Sequence, residues 1–291
     1  MNDRLAEKYI DLLKNALVNT LHVEQEAQLL YAILCASHQE VPELERLTGM
    51  RENAALIGEL LDLKARGDTL ELKGLDSYGR AVVDESLRNH SEFAHTLIGL
   101  ERLEHIHQCM QAIHAQGIAG DLLQAGCWRG GAAIFLRGVL EAFGDGQRTV
   151  WVADSFAGLP VSGAAADHGY EMDSGVLPFL SVPLAEVRQN FHRYGLLDEQ
   201  VGFIPGWFRD SLADQPAGPL ALLHVDADLY ESTRQVLDHC HDRVASGGFV
   251  IVDDYGTLPP CREAVDEFIS RRGLSVKPEP IGSHAACWRI P

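Results

Sequence analysis

Positive charge is scarce in this 291-residue chain: 24 Lys and Arg face 42 Asp and Glu, a formal net charge of -18. So acidic a surface repels phosphate, so neither nucleic acid nor an anionic membrane is expected as the main partner. Long apolar runs are missing, and none approaches the ~20 residues that span a bilayer. The six cysteines (Cys35, Cys109, Cys127, Cys240, Cys261, Cys287) are dispersed and never spaced CxxC. That pattern predicts reduced, mostly buried thiols. The N-terminus, Met1-Asn-Asp-Arg-Leu-Ala-Glu-Lys, is charged and runs directly into an amphipathic pattern. No signal peptide is expected, and the protein is expected in the cytoplasm.

What is present is a core and an alternating pattern. Hydrophobic residues make up 46% of the chain. Residues 1–110 read as an N-terminal helical cap or dimerisation region, with Tyr9, Leu12, Leu13, Leu17 and Leu21 on one stripe. Two short helices, Val41–Gly49 and Ala54–Leu63, followed by Thr69-Leu-Glu-Leu-Lys-Gly, are similar to a winged-helix arrangement. Its second helix sets Glu52, Glu59 and Asp62 beside Arg51 and Lys64, without the basic stripe that DNA contacts demand.

Residues 111–291 alternate between strand and helix. Strands are predicted at Leu122–Gly126, Thr149–Asp154, Val201–Pro205, Leu220–Val225 and Gly247–Val252. Helices are predicted at Ala132–Phe143, Leu184–Tyr194, Tyr230–Ser246 (with Val236, Cys240 and Val244 on its apolar face) and Pro260–Arg272. Leu274–Ile281 and Ala285–Ile290 follow, joined by a bend at Gly282-Ser283. The reading is a Rossmann-like, doubly wound seven-stranded α/β sheet with one antiparallel edge strand. Ala157–Val182, rich in Gly, Ala, Ser and Pro, reads as a lid or binding loop.

The chemistry concentrates where strands end. Leu220–Val225 runs into Asp226-Ala227-Asp228, and Gly247–Val252 into Asp253-Asp254-Tyr255. A right-handed crossover brings both ends to the sheet edge where such folds bind ligands. Carboxylates gathered there repel one another unless a hard divalent cation sits among them. The first strand ends in Gly126-Cys-Trp-Arg-Gly-Gly131 before a helix, a turn suited to a carboxylate. Its spacing is not G-x-G-x-x-G, which disfavours a dinucleotide. Asp154, at the end of the second strand, is placed to accept two ribose hydroxyls, with a loop cap as the plainer reading. A carboxylate turn and a ribose acid without a phosphate loop suggest S-adenosylmethionine.

The chain resembles the macrocin O-methyltransferase family (TylF/MycF-type). The resemblance rests on Ala94-His-Thr-Leu-Ile-Gly-Leu-Glu-Arg-Leu, Gly126-Cys-Trp-Arg-Gly-Gly, Val150-Trp-Val-Ala-Asp-Ser-Phe-Ala-Gly-Leu-Pro and Asn190-Phe-His-Arg-Tyr-Gly-Leu-Leu-Asp. It continues through Pro205-Gly-Trp-Phe, Val225-Asp-Ala-Asp-Leu-Tyr, Asp253-Asp-Tyr-Gly and Cys261-Arg-Glu-Ala-Val, from about residue 94 to 270, with 22–90 largely outside it. It implies a class I methyltransferase using S-adenosylmethionine and a divalent metal, usually magnesium. The acceptor would be a hydroxylated, glycosylated small molecule, and the chain a homo-oligomer. By position, Asp226, Asp253 and Asp254 would hold the metal, and Asp228 would be the general base. Thr96, Leu97, Ile98, Gly126, Trp128, Gly130 and Asp226 would meet the cofactor, Asp154 and Ser155 its ribose, and Trp207 and Phe208 its adenine. Gln124 stands where the family commonly has an acid, and His224 where a bulkier basic or apolar residue is expected.

Other readings remain open at this level: a catechol-type diol acceptor, a catalytically silent cofactor-binding scaffold, or a regulator using the N-terminal helices. A histidine metal site is disfavoured, because His105 and His107, like His239 and His241, are two residues apart and point to different sides of a helix. His168 and His192 read as surface residues near the loop, and Cys127 as packing.

Overall fold

A computed structural model describes residues 3–68, 73–75, 81–83, 93–215 and 218–291. By packing, the chain divides into two compact units, Met1–Ile10 with Arg102–Pro291, and Asp11–Glu101.

The smaller unit is helical. α1 (Asp3–Leu17), whose residues up to Ile10 belong to the larger unit, is followed by α2 (Val23–Ser37), α3 (Leu44–Gly49) and α4 (Ala54–Arg66). Val23, Ala27 and Leu30 of α2 close over Leu60 of α4. The Asn53 side chain caps α4 by accepting from Leu56 N at 3.2 Å, and Gly67 ends it in the left-handed conformation. β1 (Lys73–Leu75) and β2 (Ala81–Val83) pair antiparallel. Residues 69–72 lie outside the described set. Lys64, counted above among the basic residues, is buried in an ion pair 2.7 Å from Glu26. The stripe on α1 is shifted by one residue from the sequence reading. Ala6, Ile10, Leu13 and Leu17 are buried, while Leu12 and Leu21 are exposed. Leu12 lies about 100° round the helix from Leu13, on the side away from Leu17.

The larger unit is the sheet. Its strands are β3 (Asp121–Ala125), β4 (Val150–Asp154), β5 (Val201–Pro205), β6 (Leu220–Val225), β7 (Val244–Val252), β8 (Glu279–Ile281) and β9 (Ala285–Arg289). They lie in the order β5-β4-β3-β6-β7-β9-β8. The first five are parallel. β9 is antiparallel to both neighbours, so the antiparallel strand predicted for the edge sits one place inside it, and β8 forms the edge. Every residue of β6 is buried, as a strand covered on both faces requires.

The crossover helices are α5 (Leu100–Gln116), α6 (Gly131–Phe143), α7 (Leu184–Arg193), the short α8 (Phe208–Ser211), α9 (Tyr230–Cys240) and α10 (Pro259–Arg272). One boundary differs from the sequence reading. Val244 opens β7 and does not continue α9, because a short 3-10 turn at His241–Arg243 ends the helix. Val236 and Cys240 do form its buried face.

Hydrogen bonds anchor the segment 157–182 near both ends, and Ser162 adds one to the Glu231 carboxylate at 3.3 Å. Asp167 is buried, and its carboxylate accepts from Tyr230 N at 2.7 Å and Glu231 N at 3.2 Å. It thereby caps α9, whose own N-cap residue Leu229 supplies no side-chain bond. Nearer the other end, the Phe179 carbonyl accepts from the Trp128 indole N–H at 3.0 Å. Asp167→Ala should lower unfolding free energy by about 1–2 kcal/mol, the worth of an N-cap, as read by urea denaturation. A change within 0.3 kcal/mol would show that the cap contributes nothing.

Candidate active site

Strand order reverses between β3 and β6, and there a doubly wound sheet opens a crevice at its C-terminal edge. The ladder continues one residue past the strands. Gly126 N donates to Ala153 O, Asp226 N to Ala125 O, Asp253 N to Val225 O and Gly206 N to Asp154 O. These bonds set the ends of β4, β3, β6 and β7 side by side, so Asp154, Gly126, Asp226 and Asp253 stand along one lip. Gly126 is at φ +85, and a β-carbon there would lie 1.7 Å from the Asp226 carbonyl oxygen. Only glycine permits that approach. The backbone is strained nearby as well: Trp128, Phe156 and Asp228 all have positive φ, near 50°.

Asp226, Asp253 and Asp254 converge as predicted, each offering an oxygen within 4.8 Å of the others. Burial pushes Asp226 well above the ordinary carboxyl range, and the charges of Asp253, Asp254 and Asp228 add to it. Asp254 is raised for the same reasons, burial first, then Asp228 and Asp253. Burial would raise Asp253 too, but the Arg102 guanidinium and the His224 ring outweigh it and hold this carboxyl low. Asp228 is pushed up to about 7, by burial and then by Asp253 and Asp154. One oxygen each of Asp253 and Asp254 is buried without a hydrogen-bond partner. Two carboxylate oxygens that no donor satisfies, with a third carboxylate beside them, are what a hard cation requires. The donor set fits a divalent ion.

Sequence reasoning missed the groups that hold this cluster. Arg102, buried on α5, pairs with Asp253. Asp253 Oδ1 lies 3.5 Å from His224 Nε2, and His224 Nδ1 meets Gln124 Oε1. Gln124 in turn donates to the Gly126 carbonyl at 2.5 Å. Gln124 and His224, the two departures from the family pattern, are therefore partners on adjacent strands, Gln124 opposite His224 in the β3–β6 register. Their co-occurrence was the available signal.

The other predicted residues divide. The Asp154 carboxylate accepts from Cys127 N and Phe156 N, both at 2.7 Å, so the cap reading holds for part of its capacity. The Ser155 hydroxyl donates to Gly158 O and accepts from Ala157 N, within its own turn. Gly130 begins α6 at φ +90 with no side-chain cap. Arg129 stacks on the Trp128 ring at 4.4 Å. Trp207 is exposed, whereas Phe208 packs on the core. Thr96, Leu97 and Ile98 belong to the helical unit; Thr96 and Ile98 are buried there, and the Thr96 hydroxyl accepts from Ile98 N. His168 and His192 are exposed.

A model of the macrocin O-methyltransferase family matches residues 6–290. The chain belongs to the macrocin O-methyltransferase family. The match extends beyond the motif-bearing stretch 94–270 and takes in residues 22–90, which the motifs left outside. The 8-demethyl-8-(2,3-dimethoxy-alpha-L-rhamnosyl)-tetracenomycin-C 4'-O-methyltransferase of Streptomyces olivaceus is 47% identical over 207 residues, 69% of this chain and 78% of that protein. The demethyldecarbamoylnovobiocin O-methyltransferase of Streptomyces niveus is 48% identical over 198 residues, 66% of this chain and 74% of that one. The solved structure of the O-methyltransferase NovP superposes with a TM-score of 0.74 at 34% identity, covering 98% of this chain and 99% of that one. As a macrocin O-methyltransferase family member with this class I fold, the chain is an O-methyltransferase.

Two outcomes test the geometry. Gly126→Ala should cost more than about 1 kcal/mol, since alanine at positive φ is strained even before the clash; denaturant unfolding reads it. The raised carboxyls also set a pH dependence. A carboxyl held above its unfolded value near 4 takes up a proton on folding. Its contribution is complete below that value and is lost as pH rises through the folded value. In chelator, melting temperature should therefore fall between pH 5 and 8 more steeply than carboxylates elsewhere explain. Asp228→Asn should flatten that slope, because Asp228 is the carboxyl pushed up to about 7, and an unchanged slope would refute the assignment.

Proposed function

We propose that this chain transfers the methyl group of S-adenosylmethionine to a sugar hydroxyl of a glycosylated natural product, with a divalent cation, magnesium first, held by Asp226, Asp253 and Asp254. The observation that carries the reading is the half-buried carboxylate cluster, with unsatisfied oxygens on Asp253 and Asp254, placed beside the Gly126 turn at the strand-order reversal. The Streptomyces olivaceus relative is a 4'-O-methyltransferase of a rhamnosyl-tetracenomycin, which supports a sugar hydroxyl as acceptor.

When bound, S-adenosylmethionine supplies an electrophilic sulfonium methyl, and a divalent cation supplies charge that makes a neighbouring alcohol more acidic. The chain's residues do the rest. The uncapped first turn of α6 offers N–H groups to the cofactor's carboxylate. Asp154, already held by Cys127 N and Phe156 N, turns its carboxylate to the ribose hydroxyls. Trp207, being exposed, offers a ring face for adenine. Gln124 leaves the cofactor's amine without a carboxylate at this position. Asp228 takes the acceptor's proton on its carboxylate; a group near 7 is matched to base work at neutral pH.

We further take the enzyme to be cytoplasmic and homo-oligomeric. Among the described residues no helix is long and apolar enough to cross a membrane. Exposed Leu5, Leu12 and Leu44 offer apolar surface for self-association, which sedimentation would test.

Incubated with S-adenosylmethionine, magnesium and a panel of deoxysugar glycosides, the enzyme should add one methyl mass to an acceptor. Asp228→Asn should lose about 100-fold or more in kcat, and Asp254→Asn should raise the magnesium requirement. Methylation that persists undiminished in chelator and in both variants would sink the carboxylate reading. Turnover of catechols but not glycosides would sink the acceptor class.

A further inference from the structure

A second group of donors meets inside the sheet unit, away from the carboxylates. His105 and Cys109 are one helical turn apart on α5 and so project from the same face. Cys287 lies on β9, opposite Ile251 of β7. A ring nitrogen of His105 and the two Sγ atoms lie within 4.8 Å of one another. Cys109 and Cys287 are 4% and 6% exposed. The Nε2 atom of His105 is buried and has no hydrogen-bond partner. The Cys287 thiol donates weakly to the Trp288 carbonyl at 3.8 Å and is also within thiol hydrogen-bonding reach of Cys109. A buried imidazole nitrogen left unsatisfied costs stability, and thiols satisfy it poorly.

We propose that His105, Cys109 and Cys287 form a second metal site, for a thiophilic cation such as Zn2+. Zinc bonds of about 2.3 Å to sulfur and 2.0–2.1 Å to nitrogen, arranged tetrahedrally, separate donors by roughly 3.5–3.8 Å. The observed span admits that with small side-chain movement. Softness divides the two sites: oxygens alone suit magnesium, whereas two thiolates and an imidazole select zinc or Cu(I). On loading, the thiols release their protons to solvent as the two S–metal bonds form, with no change of oxidation state. Water completes the fourth position. The ion would clamp α5 to β9, fixing the helix that carries Arg102 to the acid cluster.

The test is cobalt titration of the full chain, reduced, stripped of metal and held in excess magnesium so that the carboxylates are filled. The expected result is one equivalent of Co2+ bound with a thiolate-to-cobalt charge-transfer band. That band should vanish in Cys109→Ser and Cys287→Ser and persist in Asp253→Asn. His105→Gln, at a half-buried position, should weaken cobalt binding at least about tenfold, the scale on which even outer-sphere partners act. Should the serine variants fail to fold, the His105→Gln affinity decides. No thiolate band in the reduced wild type, a band surviving either cysteine change, unaltered affinity in His105→Gln, or a Cys109–Cys287 disulfide in freshly purified protein would each overturn the site. Loss of the carboxylate reading would leave the thiolate band untouched, so the two fail separately.

Discussion

A buried excess of negative charge governs this molecule. Four carboxylates, Asp226, Asp228, Asp253 and Asp254, crowd the lip of a sheet with Arg102 as the buried guanidinium facing them. Isolated buried charges are too costly to persist, so such a group survives by protonation, by pairing or by cation binding. Arg102 and His224 settle Asp253 and leave its neighbours protonated or waiting for an ion. The fold supplies the rigidity that this arrangement needs. Ladder bonds running past the strand ends fix the four termini before any side chain is placed, and Gly126 leaves out a methyl that would push β3 and β6 apart.

The sequence made the sheet legible because parallel strands buried on both faces are short apolar runs with little else in them. β6 and the acids that follow it are the clearest case. Strand ends were legible for the same reason: acids directly after a buried strand have nowhere to lie but the edge. The N-terminal helices were less so. A stripe of leucines permits two registers one residue apart, and only packing chooses Leu13 over Leu12. Val244 was misread because a valine after Cys240 fits either helical spacing or the start of a strand, and the 3-10 turn between them has no strong signature.

Long-range partners were the least visible. Arg102 meets an acid 151 residues away, and nothing in either neighbourhood announces the pair. Gln124 and His224 each look like an isolated departure from a family pattern. Side by side on neighbouring strands, they become one hydrogen-bonded unit linking the glycine turn to Asp253. The same holds for Cys287 and the His105–Cys109 turn. Scanning histidine against histidine passed over a spacing of four between unlike donors.

Asp167 ties the loop and the acids into one mechanical element. The carboxylate that secures the segment 157–182 is the same one that finishes α9, the helix springing directly from Asp226–Asp228. Freeing that end of the loop therefore frays the first turn of the helix that follows Asp228.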